Sequence, residues 1–311
     1  MCYIEKDRIL LFFFICFSFM FYGIGINYAT EQKLAAEQAE ELTTEQLAEA
    51  TTELPAEATT TAQAEQKTYV VVIDAGHGGN DTGASYHSEE GKINEKTVNL
   101  KIAKYMKAAL EQYDNVKVIM TRTKNVYMDL DERTDIAVEN DADLFISLHN
   151  NSLEGAGGYA SGSSVCVAIG NAKKELSTES QKLGCNFVYE LGELGLKQNG
   201  LMMRSAVSYE YKNGKPADYY ANIRNPLKHG IIGIIVEHAF IDNADDFYDY
   251  LCSKEQLQKL GEADARAVAR YLQLPAKDSG EVLASLSDYN VKICRIGQSG
   301  KAKKFYRTYY K

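Results

Sequence analysis

Three apolar runs in this chain each end on a residue able to bind a metal or move a proton. They are YVVVIDAGH, ending at His77; DLFISLH, ending at His149; and IIGIIVE, ending at Glu237. An imidazole nitrogen is a neutral metal ligand and a proton carrier near neutral pH. A carboxylate can ligate a metal or act as a general base. One such residue closing one strand is ordinarily a hydrogen-bonded structural group. Three coincident ends carry more weight, because core packing does not require a metal-competent side chain at each. Glycines flank His77 at Gly76, Gly78 and Gly79. They allow a tight turn and close approach of backbone to a ligand.

The runs that must position these residues are short, rich in Val and Ile, and bounded by polar or glycine-containing stretches. Buried strands of a parallel sheet read this way. In an open α/β sheet, sites form beyond the carboxyl ends of the strands, so residues distant in sequence can converge there. A first strand is expected near 69–74, followed by a polar, glycine-containing loop to Asn94. The next stretch has Val98, Ile102, Tyr105, Met106, Ala109 and Leu110 at helical spacing, with Asn94 as N-cap and Glu95 in the first turn. VKVIM at 116–120, DLFISLH and GSSVCVAIG at 162–170 read as further strands. Helices are expected at LDERTDIAVEND, 173–192 and 254–272, and a mixture of loop and strand over 196–230. This alternation implies an α/β fold of three layers, a mostly parallel sheet flanked by helices.

Not all of the 311 residues belong to that core. Residues 9–26 form an uncharged, Phe-rich apolar run preceded by Lys6 and Arg8. Its length lies between that of a secretory signal and that of a membrane span, so residues 1–29 are read as a signal peptide or an uncleaved anchor. Either way the remainder is expected outside the cytoplasm, at the cell envelope or beyond it. Residues 30–66 hold nine Glu and one Lys, −8 of the total −9, and repeat AEATT at 48–52 and 56–60. Such a segment buries too little apolar surface to offset chain entropy and is expected to be a disordered spacer. The net acidity therefore belongs to a linker and not to a binding surface.

The expected globular domain is 67–275, large enough for one substantial core. Residues 276–311 carry eight Lys or Arg against three acids, together with five aromatic residues. VKICRI and KFYRTYY flank a GQSG turn and read as a hairpin, either docked on the main domain or loose. Of six Cys, none lies in a CxxC pair, and Cys166, Cys185, Cys252 and Cys294 could form disulfides in an oxidising compartment. No glycine loop matches a phosphate-binding or dinucleotide fingerprint. No basic aromatic stripe crosses the main domain, so nucleic acid is not an expected partner.

Two His and one carboxylate, with a fourth position left to water, form a catalytic zinc set. Glu95 is an available oxygen ligand, although the separations of 18 residues from His77 and 54 to His149 form no local motif. A Glu in a first helical turn ordinarily complements the helix dipole. Glu237 follows five Ile or Val residues in a seven-residue run. Partial desolvation there should raise its pKa, which suits a general base for the attacking water and then an acid for the leaving group. The structural alternative is an ion pair with Arg122 or Arg224. His238 should face the opposite side of the strand in a supporting role. His87 and His229 lie in loop-like contexts.

The set IDAGHGGNDTGA, NEKTVNL, SLHNNS and IIVEHAFIDNADD resembles the zinc-dependent N-acetylmuramoyl-L-alanine amidases of bacterial autolysins and sporulation hydrolases. The resemblance spans about 69–272 and is specific because the motifs occur jointly and in order. It implies zinc ligands at His77, Glu95 and His149, a catalytic glutamate at Glu237, and the phosphorylase/hydrolase-like fold. Arg122 and Asn243 also fall on positions common in that family, Asn243 as a residue that orders its loop. The implied substrate is peptidoglycan, cleaved between N-acetylmuramic acid and L-alanine during wall turnover or remodelling. The glycine-rich stretch 150–162 is expected to line the substrate groove. A zinc peptidase or carboxypeptidase on the same general fold, and a non-catalytic wall-binding module, are the alternative readings.

Overall fold

A computed structural model describes residues 67–88, 91–153 and 159–310. All of them lie in one compact unit, Ala64–Lys311. The segments expected to be an export signal or anchor (1–29) and an acidic spacer (30–66) lie outside the described residues. Among the described residues no helix is long and apolar enough to cross a membrane.

The first strand, β1 (Tyr69–Ala75), is buried on both faces. Val71 and Ile73 face one side of the sheet, and Val72 faces the other. A polar hairpin, β2 (Ser85–Ser88) and β3 (Gly91–Asn94), leads into α1 (Glu95–Leu110). On α1, Val98, Ile102, Met106 and Leu110 form the buried stripe that the spacing predicts. Burying each such side chain stabilises by about 1.5–3 kcal/mol. Next come β4 (Val116–Met120), α2 (Leu130–Glu139) and β5 (Leu144–Asn151). Helix α2 starts in a capping box, with Asp129 accepting from the Glu132 amide and Glu132 reaching back.

The second half contains β6 (Ser163–Cys166), α3 (Lys174–Glu193), β7 (Gln198–Glu210), β8 (Pro216–Asp218) and α4 (Ala221–Lys228). It ends with β9 (Ile232–Phe240), α5 (Lys254–Leu272), β10 (Asn290–Ile296) and β11 (Ala302–Thr308). Helices α1, α3 and α5 cover one face of the sheet; α2 and α4 cover the other. Gly261 lets α5 cross α1 closely: a Cβ there would stand 2.6 Å from the Met106 amide nitrogen.

The main sheet runs β11-β10-β7-β6-β9-β5-β1-β4, with β8 paired to β7. Strands β4, β1, β5 and β9 are mutually parallel. Strands β6, β7 and β10 are parallel to one another but antiparallel to β9. The sheet is thus mixed, with parallel pairs in the majority. The C-terminal hairpin docks, because β10 pairs with β7 and continues the sheet.

Several local expectations change. The loop expected before Asn94 contains the β2/β3 hairpin, whose four-residue polar strands carry no apolar alternation. Asn94 occupies the N-cap position but makes no side-chain cap. The strand expected at 162–170 ends at Cys166. The stretch 196–230 holds the long β7, β8 and also a helix, α4. Cys166, Cys185, Cys252 and Cys294 are free thiols.

Candidate active site

His77 stands in the turn after β1 with φ of 61°, a left-handed backbone uncommon for residues other than glycine. Two arginines hold that turn. Arg122 donates to the carbonyls of Ala75 (2.8 Å) and Gly76 (2.8 Å). Arg133 donates to the carbonyls of Ala75 (3.0 Å) and His77 (2.9 Å). Arg133 is in turn paired with Asp74, a fully buried carboxylate at 2.7 Å, which also accepts from Thr121 (2.7 Å) and Ser147 (2.6 Å). A carboxylate buried inside an apolar strand persists only with partners of this kind.

Glu95 is the first residue of α1, so the helix start brings its side chain to the end of the sheet. Its Oε2 lies 3.1 Å from Nε2 of His77, and its Oε1 lies 3.0 Å from Nδ1 of His149. Glu95 also accepts from the amides of Ala84 (3.0 Å) and Asn150 (3.1 Å) and from Nδ2 of Asn99 (3.1 Å). The ligand atoms of His77, Glu95 and His149 all lie within 4.8 Å of one another. The two imidazoles meet edge to face, with centroids 4.8 Å apart.

The surroundings of the trio suit a cation. Nδ1 of His77 donates to Asp81 at 2.8 Å, which fixes the ring and leaves Nε2 toward Glu95. A Cβ on Gly76 would overlap the His149 ring, and one on Gly83 would overlap Glu95 and His77. Those two glycines therefore make the room in which the three ligands meet.

The electrostatics agree with close mutual contact. Burial works against the His77 cation, but hydrogen bonding and charge from Glu95, then Asp81, outweigh it and raise its pKa to about 9. Burial likewise opposes the His149 cation, and Glu95 again reverses the balance upward. Burial disfavours Glu95 as an anion, yet His149 and His77 hold it well below the carboxylate range. The carboxylates of Glu95 and Asp81 together balance the charge of the two protonated imidazoles. A divalent ion would take the place of the protons.

Glu237 sits on β9 directly opposite His149 on β5. Its Oε2 is buried and has no hydrogen-bond partner. Burial pushes its pKa up, against the pull of His149. Neither arginine proposed as a partner reaches it: Arg122 is spent on backbone carbonyls, and Arg224 donates to the carbonyls of Asp218 and Tyr219. An unpartnered, desolvated carboxylate beside two imidazoles is poised to accept a proton from a water or a substrate group.

His238 faces the opposite side of β9, as the strand period requires. Its Nδ1 donates to the His149 carbonyl at 3.0 Å, and Nε2 lies 2.9 Å from Oδ2 of the buried Asp264 on α5. Asn243 caps the turn after β9 by accepting from the Asp246 amide (2.9 Å) and donates to the Ala160 carbonyl (3.0 Å). It therefore ties down the loop after β5. Asp246 adds bonds to Ser161 (2.8 Å) and Gly162 (2.8 Å). Residues 154–158 of the expected groove-lining stretch lie outside the described residues. His87 and His229 are exposed and do not join the cluster. Sequence reasoning missed Asp74, Asp81, Arg133 and Asp264. Only Asp74 carried a signal, a lone acid inside an apolar run.

Comparison with known proteins gives a consistent answer. The endolysin of Bacillus phage SPP1 is 30% identical over 213 residues, which cover 68% of this chain and 69% of that protein. The sporulation-specific N-acetylmuramoyl-L-alanine amidase of Bacillus subtilis is 39% identical over 88 residues, only 33% of its own length. Among solved structures, Cwp6 from Clostridium difficile is similar with a TM-score of 0.54 and 29% identity, covering 64% of this chain and 28% of that one. The sequence profile of the N-acetylmuramoyl-L-alanine amidases matches residues 71–270, which include the cluster and Glu237, and the chain belongs to that family.

Proposed function

We propose that this domain hydrolyses the amide between N-acetylmuramic acid and L-alanine of peptidoglycan with one zinc ion held by His77, Glu95 and His149. The observation that carries this reading is the convergence of those three ligand atoms within 4.8 Å beside the unpartnered Oε2 of Glu237. When bound, zinc supplies Lewis acidity, polarising the scissile carbonyl and acidifying water.

The chain's own residues supply the rest. Glu237 accepts the proton of the attacking water at Oε2, where nothing else competes for it. It then delivers that proton to the departing alanine nitrogen. Its burial keeps the protonated and ionised forms close enough in energy to alternate. Asp81 fixes the His77 ring, and the His149 carbonyl is fixed by His238. Arg122 and Arg133 hold the turn that carries His77, so the ligands are positioned before substrate arrives. Action on the wall places the domain at the cell envelope, consistent with an N-terminal export segment.

The test is mass analysis of purified muropeptides after incubation, with and without a chelator. Release of intact stem peptide with a free alanine amine, abolished by chelation, is expected. Cleavage between amino acids of the stem would instead show a peptidase.

A further inference from the structure

A cavity of about 240 Å³ lies on the sheet beyond the catalytic residues, bounded by Asn151 and Phe240 at one end and by Lys197, Lys292 and Lys304 at the other. Ligand pockets that enclose a whole small molecule run to about 300–1,000 Å³, so this one suits the end of a longer ligand. Asn151 follows His149 by two positions and Phe240 follows Glu237 by three, so the cavity starts where the catalytic residues stop. Its far end is built by the C-terminal hairpin, which lies beyond the 71–270 stretch that the family profile matches.

The register gives the reach. Glu237 pairs across to Ser164, Ser164 to Gly200, and the Gly200 backbone lies against the Lys292 carbonyl. From β9 to β10 is three strand spacings, about 14 Å at roughly 4.8 Å each. An extended peptide covers about 3.3–3.6 Å per residue, so about four residues span that distance. No carboxylate pairs with Lys197, Lys292 or Lys304 among the described residues. Three lysines therefore line the groove without a paired carboxylate from the protein.

We propose that this groove receives the distal end of the leaving stem peptide, with Lys292 and Lys304 binding its terminal carboxylate. The inference rests on the amidase reading above and adds a specificity element to it. A peptide whose alanine nitrogen lies at Glu237 presents its carboxylate to the lysines when about four residues long. Both lysines stand on the hairpin, so the added strands extend the substrate site and are more than a cover for the sheet edge.

The experiment uses zinc-loaded protein and two N-acetylmuramoyl tetrapeptides, one with a free terminal carboxylate and one with a terminal carboxamide. The unmodified enzyme should favour the carboxylate about three- to tenfold in kcat/KM, through KM, as expected for two partly exposed charge contacts. The Lys292→Gln/Lys304→Gln variant should lose that preference while cleaving the carboxamide at the unmodified rate. Lys304→Gln alone, at an exposed position, should lose part of it, which guards against misfolding of the double variant. A preference that survives both changes overturns the proposal, as does an equal loss on both substrates. Loss of binding to a polyglycerol-phosphate chain with the preference retained would assign the lysines to a wall polymer and also overturn it. If the unmodified enzyme cleaves neither substrate, the amidase reading fails. Direct titration with the carboxylate tetrapeptide then decides the groove, and equal affinity for both protein forms overturns it.

Discussion

The backbone carbonyl of His149 accepts a hydrogen bond from His238 on the neighbouring strand, at 3.0 Å, while the far side of the His238 ring meets Asp264 at 2.9 Å. A chain that is fully buried at Asp264 and His238 thus runs from α5 through β9 to His149 on β5. Breaking a buried pair by removing one partner costs about 3–5 kcal/mol, because the other charge is left without compensation. His238→Ala should therefore unfold at markedly lower denaturant. Supporting groups of this kind change metal affinity by about 10–100-fold, so zinc affinity measured by competition with a chelator should also fall. Unchanged stability and unchanged affinity would refute the linkage.

Gly76→Ala tests the space in which the ligands meet. Its backbone is not left-handed, so the substitution strains nothing except the His149 ring that the new methyl overlaps. Overpacking costs about 1–3 kcal/mol, and here the ring must move. The variant should keep its fold by circular dichroism, lose zinc affinity about tenfold or more, and lose hydrolysis in proportion. Normal zinc binding would mean that the ring has another place to go.

Glu237→Gln keeps size and most hydrogen bonding but cannot take a proton from water. Loss of a general base typically costs about 10²–10⁴-fold in rate. The variant should hold a full equivalent of zinc by metal analysis and release almost no stem peptide. Near-normal turnover would show that another residue is the base.

The chelated protein should lose stability as pH rises. His77 has a folded pKa of about 9 against an ordinary 6.5. The folded state binds that proton more tightly than the unfolded chain, so the contribution is complete below about 6.5 and vanishes as pH climbs through about 9. His149 and His238 are shifted in the same direction. Calorimetry of the chelated protein across that window should show a falling Tm, with a shallower slope for His77→Gln. In the same window zinc affinity should rise, because the metal competes with those protons. A Tm independent of pH would mean that the imidazoles are neutral in the chelated fold.

The strands that carry His149 and Glu237, and the one that leads to His77, were legible because buried strands leave continuous apolar runs, although β5 continues to Asn151 and β9 to Phe240 beyond the residues where those runs stop. The helix from Glu95 was legible from the period of Val98, Ile102 and Met106. That Glu95 turns toward two distant histidines was not: a helix-start acid has the same local sequence whether it serves a dipole or a cluster, and only the motif resemblance singled it out. Asp81 was missed because its role depends on a turn that places it under His77. The β2/β3 hairpin was missed because each four-residue strand sends only one apolar residue, Tyr86 or Ile93, toward the core, too few to form an alternation. Strand order is another matter. Nothing in the period of β9 says that it enters between β5 and β6, or that its neighbours there run in opposite senses.

That late insertion bears on how activity arises during folding. The proposed ligands come from the turn after β1, from α1 and from β5, all complete by residue 151, whereas Glu237 arrives on a strand whose slot stays open until nearly ninety residues later. Pairings of such long sequence separation are slow to form. A chain with only its first half assembled holds the three proposed ligands but lacks Glu237, the proposed base. On that assignment the unfinished molecule is inert, and hydrolysis switches on only when the centre of the sheet closes.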